Sequence, residues 1–104
     1  MNRLTLSDPR DYLDWREGSG GSVEIYDIVV NSDRRRGRGK ALVEELVRVV
    51  RKTLGRNRLV WAITRSSNLI AQQFYLAVGF RQVGLLVRFY PDNHDHGLMF
   101  GVTV

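Results

Sequence analysis

Ile28-Val29-Val30-Asn31-Ser32-Asp33-Arg34-Arg35-Arg36-Gly37-Arg38-Gly39-Lys40 opens as an apolar strand and closes as the start of a helix. The terminal run Ile28-Val29-Val30 suits a strand buried on both faces. Asn31-Ser32-Asp33 breaks it, and Gly37 and Gly39 permit a tight turn and close backbone approach. The first amides of the helix that follows have no internal partners, and the helix dipole adds positive potential there. Such a junction is an anion site, suited to phosphate or pyrophosphate. The stretch also holds five of the sixteen basic residues: Arg34, Arg35, Arg36, Arg38 and Lys40. A basic face meant only for a nucleic-acid backbone would not need the glycines.

Working outward, residues 11–17 alternate polar and apolar, as a half-buried strand does. Gly18-Ser19-Gly20-Gly21 turns the chain, and Ser22 to Val30 returns as the second arm of a hairpin. After the glycines, Leu42, Leu46, Val49, Val50 and Leu54 recur at helical spacing, with Glu44 and Arg48 at a favourable i,i+4 order. Leu59 to Thr64 reads as a third strand. A second helix, capped by Ser67 or Asn68, carries Ala71, Phe74, Tyr75 and Val78 on one face and stops at Gly79. Phe80 to Tyr90 and Leu98 to Val104 form a last pair of strands, joined by a polar loop from Pro91 to Gly97. The expected order is β-β-α-β-α-β-β, an α/β fold with a mixed sheet of about five strands and two helices. At 104 residues the chain is expected to form one domain, residues 1–104.

Composition removes several classes of function. With no cysteine, disulfides, thiolate metal ligands and a cysteine nucleophile are excluded. His94 and His96 stand with Asp92 and Asp95 in a polar loop, which reads as solvated, so no metal is expected. No apolar stretch approaches a membrane span, and the first residues lack a secretory signal, so the expectation is a cytoplasmic protein without a membrane partner. The net charge of +5 favours an anionic ligand.

Two phosphate-binding fingerprints fail on the junction. Position 42 is Leu42 where a dinucleotide motif requires glycine, and Gly39-Lys40 is followed by Ala41 where a P-loop requires Ser or Thr. The spacing that does match is Arg34-x-x-Gly37-x-Gly39. At this point the chain resembles the GNAT superfamily of acetyl-CoA-dependent N-acetyltransferases. A second block strengthens the resemblance: Asn68-x-x-Ala71-x-x-Phe74-Tyr75-x-x-x-Gly79-Phe80. Together the two cover about residues 22 to 104.

The resemblance implies an enzyme that moves an acetyl group from acetyl-CoA to an amine by direct attack. Ile28, Val29 and Val30 would pair through their backbone with the pantetheine arm. The amides from Arg35 to Lys40 would wrap the pyrophosphate, among the side chains of Arg34, Arg35, Arg36, Arg38 and Lys40. Asn68, with Ala71 and Phe74 on the same helix, would contact the cofactor. Tyr75 would protonate the leaving thiolate, and its ordinary pKa near 10 keeps it protonated for that role. Asn68 and Tyr75 lie about two helical turns apart and so share a face. The base is expected to be Glu24 or Asp27. Three residues apart on a regular strand, they face opposite ways, so one of them can face the acetyl group, and Glu24 is preferred.

The family's N-terminal strand and two helices find little counterpart in residues 1–21. The expectation that follows is a homodimer through the apolar C-terminal strand region, Leu98 to Val104, helping to wall off the acceptor site. The acceptor is expected to be an amine on a small molecule or a protein, and nucleic acid is not expected as a partner. Two rival readings are a non-catalytic acyl-CoA-binding module and a basic nucleic-acid-binding protein.

Overall fold

The computed structural model describes residues 1–31 and 37–104. Six strands and two long helices follow one another as β1 (Asn2–Thr5), β2 (Tyr12–Glu17), β3 (Val23–Val29), α1 (Arg38–Thr53), β4 (Leu59–Arg65), α2 (Leu69–Ala77), β5 (Arg81–Tyr90) and β6 (Asp95–Thr103), with a 3-10 turn at Ser19–Gly21. This is an α/β fold with a mixed sheet. It has one strand more than the sequence order anticipates. β1 escapes a periodicity reading because only Leu4 of its four residues is buried.

The chain divides into two compact units, residues 1–60 with 103–104, and residues 61–102. In the first, β1, β2 and β3 form an antiparallel meander. Their inner face brings Leu4, Leu13, Val23 and Ile25 into a core with Leu42, Val43, Leu46 and Val50 of α1. Each such side chain taken fully from water stabilises by about 1.5–3 kcal/mol, which is why the apolar stripe on α1 settles against the sheet. The outer face carries ion pairs in place of apolar contacts. Arg3 grips Asp14 with two hydrogen bonds (2.8 and 3.0 Å), and Arg16 grips Glu24 (2.7 Å). On α1 itself, Arg48 bonds Glu45 one turn back instead of Glu44, and Glu44 lies 4.0 Å from Lys40. The i,i+3 partner lets both guanidinium nitrogens reach one carboxylate, a geometry the i,i+4 spacing does not offer here.

The pairing of β2 with β3 slips between Asp14 and Trp15. Trp15 faces Ile25 and Asp14 faces Asp27, so Tyr26 is an extra residue in β3. Such a bulge reverses the alternation of faces beyond it.

In the second unit, β6 lies between β4 and β5. Tyr75 of α2 is buried with Phe80 and Phe100, its ring centroid 5.3 Å from that of Phe80 and 6.0 Å from that of Phe100. Asn68 caps α2, its side-chain oxygen accepting from the Ala71 N–H (3.1 Å), which settles the choice between Ser67 and Asn68. Part of the expected loop from Pro91 to Gly97 is strand, since β6 already begins at Asp95. Two local bonds extend the ladder: Gly97 pairs with Leu86, and the His96 Nδ1 accepts from the Arg88 N–H (2.8 Å) where β5 bulges. A Cβ at Gly97 would sit 3.0 Å from Ile63 and 3.1 Å from Phe89, closer than ordinary side-chain contact, so a larger residue there needs those neighbours to shift.

Candidate functional site

Gly37 ends the approach to α1 with φ 63° and ψ 30°, a left-handed conformation that glycine adopts without penalty. Among the described residues no side chain caps the helix, and its first turn holds no acidic residue. The first internal bond of α1 runs from the Ala41 N–H to the Gly37 carbonyl (3.0 Å), so the amides of Arg38, Gly39 and Lys40 precede it. The Nε of Arg38 is buried and finds no hydrogen-bond partner among the described residues. A buried guanidinium N–H without an acceptor is costly unless a ligand supplies one. Arg38 and Lys40 are the charged side chains of the first turn. The nearby carboxylate Asp8 is already engaged by the guanidinium and backbone N–H of Arg10, which hold its pKa down at about 2, with Arg38 adding to the pull.

The sequence-predicted residues fall into two groups, each held within its own unit. In the first unit, Ile28, Val29 and Val30 are half-buried at the end of β3, and Gly37, Arg38, Gly39 and Lys40 open α1. Arg34, Arg35 and Arg36 lie outside the described residues. In the second unit, Asn68 is exposed at the start of α2, Ala71 and Phe74 are half-buried, and Tyr75 is 8% exposed.

The two candidate bases need a correction. Glu24 pairs with Arg16 and Asp27 pairs with Asp14, and Asp14 and Arg16 are two residues apart on a regular strand. Cross-strand partners share a face, so Glu24 and Asp27 lie on the same face and not on opposite ones. The extra residue Tyr26 causes this. The two carboxylates differ in their engagement. Glu24 is held by the Arg16 guanidinium, whereas Asp27 is exposed and has no hydrogen-bond or ion-pair partner among the described residues. The structure thus removes the geometric ground for preferring Glu24.

Two further residues, one in each unit, carry no sequence signal. Asp11 is fully buried, and its carboxylate accepts from the Asn31 N–H (2.9 Å), fixing the chain where it leaves β3. Its position at the end of a polar turn, Ser7 to Asp11, hides its burial from any periodicity. Asp95, read as a loop residue, instead opens β6 and binds the turn before α2.

The profile of the acetyltransferase (GNAT) family matches residues 5–80. Among solved structures, a GNAT-family protein from Desulfovibrio desulfuricans superposes with a TM-score of 0.80 at 27% identity, covering 96% of this chain and 64% of that one. Arabidopsis thaliana NAA60, solved in complex with acetyl-CoA, matches at TM-score 0.67 and 27% identity over 88% of this chain and 55% of its own. The ribosomal-protein-S18-alanine N-acetyltransferase of Escherichia coli shares the fold at TM-score 0.76 and 22% identity, over 98% of this chain and 66% of its own. The chain therefore spans about two thirds or less of the length of each. No curated protein matches it. With the family profile running across residues 5–80, most of its length, the chain belongs to the acetyltransferase (GNAT) family.

Proposed function

We propose that this chain binds acetyl-CoA at the start of α1 and transfers the acetyl group to an amine of a small molecule or a protein. The observation that carries the reading is the helix start itself. Among the described residues no side chain caps its amides at positions 38–40, no acidic side chain stands in the first turn, and the buried Arg38 Nε has no acceptor. A pyrophosphate supplies acceptor oxygens to both. The family membership and the acetyl-CoA in the NAA60 structure support the same ligand.

In this reading the backbone of Ile28 to Val30 lies along the pantetheine arm and Asn68 contacts it. The amine nitrogen attacks the thioester carbonyl, the C–S bond breaks, and the thiolate takes a proton from Tyr75. The proton lost by the amine goes to a carboxylate, directly or through water, and Asp27 is the better placed of the two because Arg16 does not hold it. Two measurements test the reading together. Acetyl-CoA should raise the melting temperature, since a ligand that binds the folded state stabilises it by mass action. Incubation with a broad amine panel should release free coenzyme A. Thermal stabilisation without acetylation of any amine would leave a non-catalytic acyl-CoA-binding module, and no stabilisation at all would overturn the reading.

The assembly proposal is a homodimer that covers β5, because the expected interface strand, Leu98 to Val104, lies mostly in β6, which is flanked by β4 and β5. This strand stands at the outer end of the order β4-β6-β5, and its Val83, Leu85, Val87 and Phe89 are all exposed, Val87 by 67%. An apolar strand with an open edge is a surface that proteins generally cover. Sedimentation equilibrium at micromolar concentration should show a mass near 24 kDa, twice the 12.0 kDa of the chain. A single 12 kDa species would refute the dimer.

A further inference from the structure

The turn from Arg65 to Asn68, between β4 and α2, is held by one carboxylate. The Ser66 Oγ donates to Asp95 Oδ1 (3.2 Å) and the Ser67 Oγ donates to Asp95 Oδ2 (2.6 Å), so consecutive serines occupy both oxygens. Asn93 adds a third bond from its Nδ2 (2.8 Å), and the Arg65 guanidinium lies 3.8 Å away. Ser66 is fixed further from β6. Its N–H donates to the His96 carbonyl (2.9 Å), and its Oγ accepts from the His96 N–H (3.0 Å). From the other side, the Gln72 side chain of α2 reaches back to the carbonyls of Arg65 and Ser66. The result is a rigid platform directly before Asn68, on a turn where Ser67 and Asn68 are themselves exposed.

This concentration of charge-assisted bonds exceeds what chain reversal requires. A two-residue turn into a capped helix needs its cap and little else, and Asn68 already supplies that. We infer that Asp95 is a positioning residue for acetyl-CoA binding: by gripping Ser66 and Ser67 it sets where Asn68 meets the pantetheine arm. The inference rests on the function proposed above and adds to it a residue outside both family blocks. The hydrogen bonds from Ser67, Asn93 and Ser66 hold the Asp95 carboxyl below the usual carboxylate range, so the grip is ionised through the neutral range.

The test is calorimetric titration of the whole protein with two ligands. One is acetyl-CoA. The other is 3′-phosphoadenosine 5′-diphosphate, which keeps the pyrophosphate and lacks the arm. Asp95→Ala should weaken acetyl-CoA by about tenfold, the scale of one charge-assisted hydrogen bond, and leave the arm-less ligand unchanged. Asp95→Asn keeps an acceptor for Ser67 and should recover part of the loss. A variant weakened equally for both ligands would make Asp95 a mere brace of the fold and overturn the inference, as would unchanged binding of acetyl-CoA. Should Asp95→Ala fail to fold, Ser67→Ala removes only the 2.6 Å bond, and the same ligand contrast decides. Failure of the wild type to bind acetyl-CoA would instead sink the proposed function, and this inference with it.

Discussion

Gly37→Val is expected to weaken acetyl-CoA binding by about 100-fold or more while the protein stays folded, because a β-branched residue resists the left-handed conformation. At φ 63° and ψ 30°, Gly37 lies in the left-handed region that costs an ordinary L-residue about 1–2 kcal/mol and a valine more. Among the described residues, a Cβ added there meets nothing within 4 Å, so the penalty falls on the dihedrals and not on the core. Relief of that strain turns the peptide that leads into Arg38, and the uncapped amides of the helix start no longer converge on one anion. Gly37→Ala, with the smaller penalty, should fall between wild type and valine. The measurement is a calorimetric dissociation constant beside the melting temperature of the ligand-free protein. Wild-type affinity in a folded Gly37→Val protein would place the anion elsewhere.

Tyr75→Phe should lower kcat by about 100-fold, the lower end for loss of a general acid, with little change in acetyl-CoA affinity. The substitution is clean because of how the ring is held. Phe74, Phe80 and Phe100 surround it, and a phenylalanine keeps every one of those ring contacts while removing only the hydroxyl. Burial to 8% exposure is also what a purely structural aromatic would show, so stability cannot decide the role and kinetics must. Steady-state rates should be read with an amine for which chemistry is the slow step. An unaltered kcat under those conditions removes Tyr75 from the reaction and leaves it as a core residue.

Much of the architecture was legible because it rests on burial with a regular period. Leu42, Leu46 and Val50 marked α1, and Asn68 with Ala71 and Tyr75 marked α2, because a helix that buries one stripe writes it at every third or fourth residue. The sequence was silent where a structure departs from its period. Leu4 alone could not announce β1. The polar run from Asp92 to His96 read as solvated because polarity in a loop and polarity in a hydrogen-bonded strand end look the same in one dimension; Asp95 and His96 are satisfied by Ser66, Ser67 and Arg88 from distant positions. Glu24 and Asp27 were placed on opposite faces because a bulge leaves no mark that a count of residues can find. Gly37 stands at the junction into the helix as the sequence suggests, whereas Gly39 lies inside α1, which already begins at Arg38, and the face a carboxylate presents depended on a register that only pairing fixes.

The bulge at Tyr26 also bears on how this strand can diverge among descendants of the chain. Upstream of it, Val23 and Ile25 point toward the core; downstream, Ile28 shares a face with Leu13 because one residue has been skipped. A lineage that lost the codon for Tyr26 would leave Ile25, Asp27 and Ile28 in plain alternation, still facing Trp15, Asp14 and Leu13, with Ile28 inward and Asp27 outward as now. A lineage that gained one further residue at the same place would have no such partner for it, and could keep both flanks only by widening the bulge. Point substitutions at Tyr26, exposed and outside the ladder, leave the register alone. The segment is therefore free to drift in spelling and able to lose its extra residue without inverting either flank.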